Sequence, residues 1–309
     1  MTKASHAITV MSPQEGCYHD EPMRTLLAET RVDIIDERSV AVPRKLADQR
    51  AIKTYAVANV SDVTQLRDRL EALAERHCVD CVLQAMAVRQ QHYKLAVFAM
   101  DSTLIQCEVI DRLAQLAGVG DTVAAITEKA MRGELDFQAS FRERLGMLRG
   151  LDEAALASVA NNLPMTSGVS ELLTTLRGSG IKTAIVSGGF DYFAQYLQTL
   201  YGFDYIHANA LDVVAGKVTG NVVGNIIDGA RKKQLLETLA QDLRIDCSQV
   251  IAVGDGANDL PMLASAGLGV AFKAKPIVRA QAAYNIRWIG LDGVLYLLGA
   301  ASEMSASIN

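Results

Sequence analysis

The chain has 309 residues, half of them apolar and 21% charged, with a net charge of −5 and a pI of about 5.6. That length suggests two domains, or one large domain with an insertion, and the composition is that of a globular protein. The acidic balance gives no reason to expect nucleic acid or an anionic membrane as a partner.

The segment Met1–Ala7 lacks the apolar centre of a signal peptide, and no uncharged apolar run approaches the roughly 20 residues of a membrane helix. A cytoplasmic location follows as the expectation. Five cysteines, at 17, 78, 81, 107 and 247, are too few and too scattered for a disulfide framework. Cys78 and Cys81 form a lone CxxC; with no second pair beside it, the motif reads as ordinary buried thiols rather than a zinc or redox centre.

Residues 1–90 read as one α+β unit. His6–Met11 is predicted as a strand, Glu21–Glu29 as a helix, and Val32–Val40 and Ala51–Val60 as strands, the last alternating through Tyr55-Ala-Val-Ala-Asn-Val. Val63–Arg76 carries helical spacing at Val63, Leu66, Leu70 and Leu73, with Ser61 as its expected N-cap. Val79–Val88 is the last predicted strand. Two βαβ-like halves in so short a span predict a small ferredoxin-like sandwich. Such modules serve as regulatory, structural or dimerising appendages, and a homodimer is compatible with this one. Arg89–Lys94 reads as a polar linker.

From residue 91 to about 302 the pattern changes, and 303–309 reads as a tail. Short apolar strands at Leu95–Met100, Thr183–Val186, Val250–Val253 and Leu268–Ala271 alternate with amphipathic helices. Continuous apolar strands between helices predict a Rossmann-like parallel α/β sheet covered on both faces. Sites in such sheets lie at the carboxyl ends of the strands. About 80 residues separate the first two strands, far more than one crossover of a dozen or so requires. Leu104–Ala117, Asp121–Arg132, Phe137–Leu148 and Glu153–Asn161 read as helices, an inserted helical cap over about 106–165. Leu211–Ile227, punctuated by Gly216, Gly220 and Gly224, reads as a β-hairpin.

Four motifs follow these strands in order. The first is Ala99-Met-Asp-Ser-Thr103, an Asp-x-Asp-x-Thr pattern whose first carboxylate is replaced by a methyl group. A carboxylate at 99 could attack phosphorus and form an aspartyl phosphate, with Asp101 as general acid and then base. The second, Val186-Ser-Gly-Gly-Phe190, offers a hydroxyl and a glycine amide to phosphate oxygens. The third, Arg231-Lys-Lys233 beyond Asp228, offers a lysine to neutralise a phosphoryl group. The fourth is Val253-Gly-Asp-Gly-Ala-Asn-Asp-Leu260: Asp255 is a candidate Mg²⁺ ligand, while Asn258 and Asp259 can orient ligands and water. Singly, Asp-Ser-Thr, Ser-Gly-Gly and Lys-Lys are common turn, cap and surface patterns. Four in order, each after a strand, point to a phosphatase.

These residues resemble the haloacid dehalogenase superfamily and, within it, the phosphoserine phosphatases. The matching stretches are MDSTLIQCEVIDRLA, TEKAMRGELDFQASFRERL, IVSGGF and VGDGANDLPMLASAGLGVAFKAKP, between Lys94 and about Gly299. The resemblance implies Mg²⁺-dependent hydrolysis of O-phospho-L-serine to serine and phosphate, the last step of serine biosynthesis. It implies Asp101 as acid/base and, with Asp255, as metal ligand. It also implies Ser187, Gly188 and Lys232 (rather than Lys233) on the phosphate, with Asn258 beside them and Asp259 behind. Glu108 matches the partner of the substrate ammonium, Arg144 the partner of its carboxylate, and Met131 and Phe137 the apolar lid. An acid, a planar guanidinium and an amide/lysine cradle do complement phosphoserine's three charged groups.

Ala99 is the departure. It occupies the slot that supplies the nucleophile and one metal ligand, so the chain is expected to be inactive. Ser102 is expected on the opposite side of a period-two strand, unable to take over. With all the other motif positions intact, a single replaced nucleophile explains the pattern better than gradual decay. The alternatives are a catalytically dead sensor that binds phosphoserine or serine, and a phosphotransferase to another alcohol, which would need the same nucleophile.

Overall fold

The computed structural model describes residues 3–14, 20–40 and 50–299. The predicted tail 303–309 and Cys17 lie outside the described residues. The chain divides into two compact units, at 92/93 and again at 283/284.

The first unit runs β1 (His6–Ser12), α1 (Asp20–Glu29), β2 (Asp33–Val40), β3 (Ala51–Ala58), α2 (Val63–His77), β4 (Asp80–Ala85) and the single-turn α3 (Met86–Arg89). Its sheet has the order β2-β3-β1-β4, antiparallel throughout, as in a ferredoxin-like fold. Leu66, Leu70 and Leu73 of α2 are buried with Ile8, Tyr55 and Val57 of the sheet, as the helical and alternating periods require. The helix is capped by Asp62, not Ser61: the Asp62 carboxylate accepts the Gln65 amide at 2.9 Å. Cys78 closes α2 in a left-handed conformation (φ 52°) and is exposed, which corrects its reading as a buried thiol.

Three further expectations fail here. The last strand stops at Ala85, and Arg89 is not a linker residue. Its guanidinium is buried and donates to Thr9 Oγ1 at 3.1 Å and to the Tyr296 carbonyl at 3.0 Å. Residues 284–299, which the sequence suggested for the second domain, group with this first unit. The buried Asp80 carboxylate anchors them, accepting the amides of Arg287, Trp288 and Ile289 at 2.6, 3.0 and 3.2 Å. The partner there is backbone, so no side-chain pattern announces it.

The second unit begins with β5 (Leu95–Phe98). Four cap helices follow: α4 (Val109–Leu116), α5 (Gly120–Met131), α6 (Phe137–Met147) and α7 (Ala154–Ala160). Then come α8 (Val169–Gly178), β6 (Lys182–Phe190), α9 (Asp191–Tyr201), β7 (Tyr205–Val214) and β8 (Lys217–Val223). The unit ends with α10 (Gly229–Asp242), β9 (Val250–Gly254), α11 (Leu260–Ser265), β10 (Leu268–Phe272) and α12 (Pro276–Gln281). Within it the strand order is β10-β9-β5-β6-β7-β8, parallel except for the β7/β8 hairpin. Every residue of β5, β9 and β10 is buried, which is why these strands are apolar without alternation. The hairpin pairs from Ala210↔Val223, within one residue of the expected start at 211; β7 itself begins earlier, at Tyr205, because its first part pairs parallel to β6.

The largest local departure follows β5. The strand ends at Phe98, and the predicted helix does not begin at Leu104. Instead Asp101 is extended (φ −61°, ψ 140°) and Ser102 is left-handed (φ 55°, ψ 1°), so the chain turns sharply before α4. No helix among the described residues is long and apolar enough to cross a membrane.

Candidate active site

Three strand ends build the core half of one pocket. At β5, the Ala99 amide is fixed by the Val253 carbonyl at 2.9 Å, and its methyl group reaches the pocket wall. Asp101 follows, with Oδ1 accepting the Val109 amide at the start of α4 at 2.8 Å. Burial pushes the Asp101 carboxyl up to about 8, and the neighbouring Glu108 adds to the shift. At β6, the Ser187 hydroxyl accepts the Gly189 amide at 2.9 Å. A side chain here would displace site groups: a Cβ on Gly188 would stand 2.6 Å from Phe137 Cζ, and one on Gly189 would stand 2.3 Å from Asp101 Oδ2.

At β9, Asp255 accepts the Thr103 hydroxyl at 2.9 Å. Burial and the nearby Asp259 push the Asp255 carboxyl well above the usual carboxylate range. Asp259 is a crosslink: Oδ2 takes the amides of Asp255 and Gly256, both at 3.0 Å, and Oδ1 takes Lys232 Nζ at 2.6 Å. Lys232 reaches the pocket from the first turn of α10, which Asp228 caps. Lys233 points elsewhere, towards Glu237 at 3.8 Å, so the register selects Lys232. Asn258 Oδ1 is buried and accepts no hydrogen bond among the described residues.

The cap supplies the other half. Glu108 sits at the N-terminus of α4 and accepts the Ser102 hydroxyl at 2.7 Å. Burial raises its carboxyl pKa. Arg144 of α6 is buried; its Nε donates to the Ser140 carbonyl and its Nη1 to Thr127 Oγ1, both at 3.1 Å. Phe137 stacks on Phe141, with ring centres 6.2 Å apart, and Phe141 leans on Phe190. Two polar ties join cap to core close in sequence to Met131 and Phe137. Gln138 Nε2 meets Asp228 Oδ2 at 2.6 Å, and Lys275 Nζ meets Glu128 Oε2 at 2.8 Å.

The pocket encloses about 470 Å³ between atoms, its mouth included. Ala99, Asp101, Glu108, Met131, Phe137, Arg144, Ser187, Gly188, Lys232, Asp255, Asn258 and Asp259 all line it. Every site residue singled out in the sequence is therefore here. Ser102, Thr103, Gly189 and Phe141 also touch the site; the first three stand inside the motifs but were not singled out as site residues, and Phe141 was missed. Ser102 was expected to face away, but its left-handed backbone turns the hydroxyl to Glu108. No composition rule marks a serine for φ > 0. Among the described residues, no group of three His, Cys, Asp or Glu side chains is placed to hold a metal ion.

Residues 93–267 match the family model of the haloacid dehalogenase-like hydrolases, and the chain belongs to that class. A phosphoserine phosphatase of Vibrio cholerae is 49% identical over 207 residues, which is 67% of this chain and 63% of that protein. The chain thus spans somewhat under two thirds of that relative's length. A phosphoserine phosphatase of Archaeoglobus fulgidus is 40% identical over 247 residues, 80% of this chain and 72% of that protein. A solved structure of a hydrolase of the same superfamily from Salmonella enterica serovar Typhi matches with a TM-score of 0.82 at 33% identity, covering 95% of this chain and 98% of that one. Within the class, the chain is a member of the phosphoserine phosphatase family.

Proposed function

We propose that this site binds O-phospho-L-serine and, with a carboxylate at position 99, hydrolyses it to serine and phosphate. The observation that carries this reading is the two-sided pocket. Lys232 and Ser187 stand on the core wall, Glu108 and Arg144 on the cap wall. The first pair complements a phosphate, the second an ammonium and a carboxylate. Met131 and Phe137 add apolar wall beside them, which would help exclude water from a bound ligand.

In the carboxylate form, an oxygen of residue 99 attacks phosphorus while the bond from phosphorus to the serine oxygen breaks. Asp101 gives its proton to that oxygen, then takes one from the water that cleaves the aspartyl phosphate. Burial holds Asp101 protonated near neutrality, as the first of these steps requires. In this chain the first step has no attacking atom, so bound phosphoserine stays intact. Ser102 is no substitute, because its hydroxyl is committed to Glu108.

Asn258 Oδ1, buried and without a hydrogen bond among the described residues, and the Asp255 carboxyl group are oxygen donors that suit a hard cation, and the resemblance adds the Asp101 carbonyl. Mg²⁺ bound there would offset charge on the phosphoryl oxygens. Ala99 leaves that set one carboxylate short, so its affinity is reduced.

The test combines calorimetry with a product assay. This chain is expected to bind phosphoserine without releasing phosphate, and Ala99→Asp to release it. Absence of activity in a folded Ala99→Asp protein that holds Mg²⁺ would overturn the hydrolase reading.

A further inference from the structure

We infer that Thr127, backed by Asp111, is the positioning residue that holds Arg144 ready for the substrate carboxylate. This rests on the phosphoserine reading above. Three cap helices meet at one hydroxyl: Asp111 comes from α4, Thr127 from α5 and Arg144 from α6. Thr127 Oγ1 lies 2.6 Å from Asp111 Oδ1 and accepts Arg144 Nη1 at 3.1 Å. A hydroxyl has a single hydrogen. The Val123 carbonyl, at 3.0 Å, competes for it, but the Asp111 carboxyl oxygen is nearer by 0.4 Å. Donation to Asp111 turns a lone pair towards the guanidinium, so the chain of bonds runs from Arg144 through Thr127 to Asp111.

That polarity solves a problem the cap half would otherwise face. Arg144 is buried within reach of the charges of Glu108, Asp111 and Asp101. A free guanidinium would pair with one of these acids rather than wait for a ligand. Thr127 satisfies Asp111 and ties down Nη1, while the Ser140 carbonyl ties down Nε. Nη2 is left without a hydrogen bond among the described residues, and Arg144 lines the pocket. The fork is thereby aimed before the ligand arrives, which lowers the ordering cost of binding.

Calorimetry on this chain, which cannot consume its ligand, compares phosphoserine with O-phosphoethanolamine, a probe with the same phosphate and amine but no carboxylate. Thr127→Val keeps shape and apolar volume. It is expected to weaken phosphoserine by about tenfold or more while moving phosphoethanolamine less than about twofold, because it leaves buried polar partners unsatisfied on the carboxylate side only. Thr127→Ser, which restores the hydroxyl, is expected to recover the preference and serves as the folded control. Equal weakening of both ligands, no weakening of either, or failure of serine to rescue would overturn the relay and leave the substrate reading standing. Equal affinity of the unaltered chain for both ligands would instead overturn the substrate reading, and the relay with it.

Discussion

The core half and the cap half of the pocket handle their charges differently. In the core, Lys232 is 3% exposed and already paired with Asp259, which in turn holds the amides of Asp255 and Gly256. That half is a self-neutralised frame, complete except for the group at position 99. In the cap, Glu108 and Arg144 lean on the hydroxyls of Ser102 and Thr127 rather than on each other's charge. That half is held open for an opposite charge from outside. On the proposed reading, the methyl group that replaces a carboxylate at position 99 would therefore separate recognition from turnover, because the cap's contacts are untouched.

The sharpest way to break the comparison is to restore the core. Ala99→Asp is expected to raise phosphoserine hydrolysis by at least roughly a thousandfold over this chain, the scale on which nucleophile removal acts. Ala99→Asn returns volume and an oxygen but no attacking carboxylate, and is expected to stay at background. Phosphate release measures both. Activity of the asparagine protein equal to that of the aspartate protein would show that position 99 acts by something other than attack. Next in size is Lys232→Met. It strands Asp255 and Asp259 as buried acids and is expected to destabilise the fold by about 3–5 kcal/mol in urea unfolding. The same change at the half-exposed Lys233 is expected to stay within about 0.5 kcal/mol. Equal effects would mean that the core frame is not neutralised as described.

This division also explains what could be read from the chain before folding. The core residues follow apolar strands at short fixed offsets, so Asp101, Ser187, Asp255 and Asp259 stood out by position alone. The strands themselves were legible because burial on both faces removes alternation. Glu108 and Arg144 carry no such mark: a charged residue on a cap helix is ordinarily solvated surface, and only the family resemblance singled them out. Ser102 and Thr127 were invisible. Ser102 depends on a left-handed backbone that serine seldom adopts, and Thr127 on three helices meeting. Asp80 and Arg89 were missed for a related reason, since their partners lie some 200 residues away and include main-chain atoms.

The cap half is probed by Glu108→Gln, which keeps the shape and the bond to Ser102 while removing the charge that faces the ammonium. It is expected to weaken phosphoserine by roughly ten- to a hundredfold and to leave inorganic phosphate nearly unchanged, as a lost charge-assisted contact would. Burial lifts the Glu108 pKa, and only its ionised form attracts an ammonium. In the unaltered chain, affinity should therefore fall on acidification beginning above the ordinary glutamate range near about 4.3. That dependence should flatten in the glutamine protein. Calorimetry across pH decides it: a parallel loss of phosphate binding would place Glu108 in the core frame.

The smallest expected effect lies where the halves join. Lys275 and Glu128 are 31% and 43% exposed, so their 2.8 Å contact is worth about 1 kcal/mol or less and is screened by salt. The tie is nonetheless well placed. Glu128 lies three residues before the lid residue Met131, and the Lys275 amide donates to the Asp255 carbonyl at 3.1 Å. If Met131 belongs to a lid, as the resemblance implies, opening it would break this tie. Lys275→Ala is accordingly expected to speed phosphoserine release a few-fold at low ionic strength and to make little difference in about 1 M salt, where the Debye length is near 3 Å. Gln138→Ala, which removes the neutral donor to Asp228, should speed release by a similar factor with weaker salt dependence. Stopped-flow displacement at two ionic strengths separates them. If Lys275→Ala changes release equally at both, the lysine acts through the backbone of the Asp255 loop, and the lid is held by its aromatic packing alone.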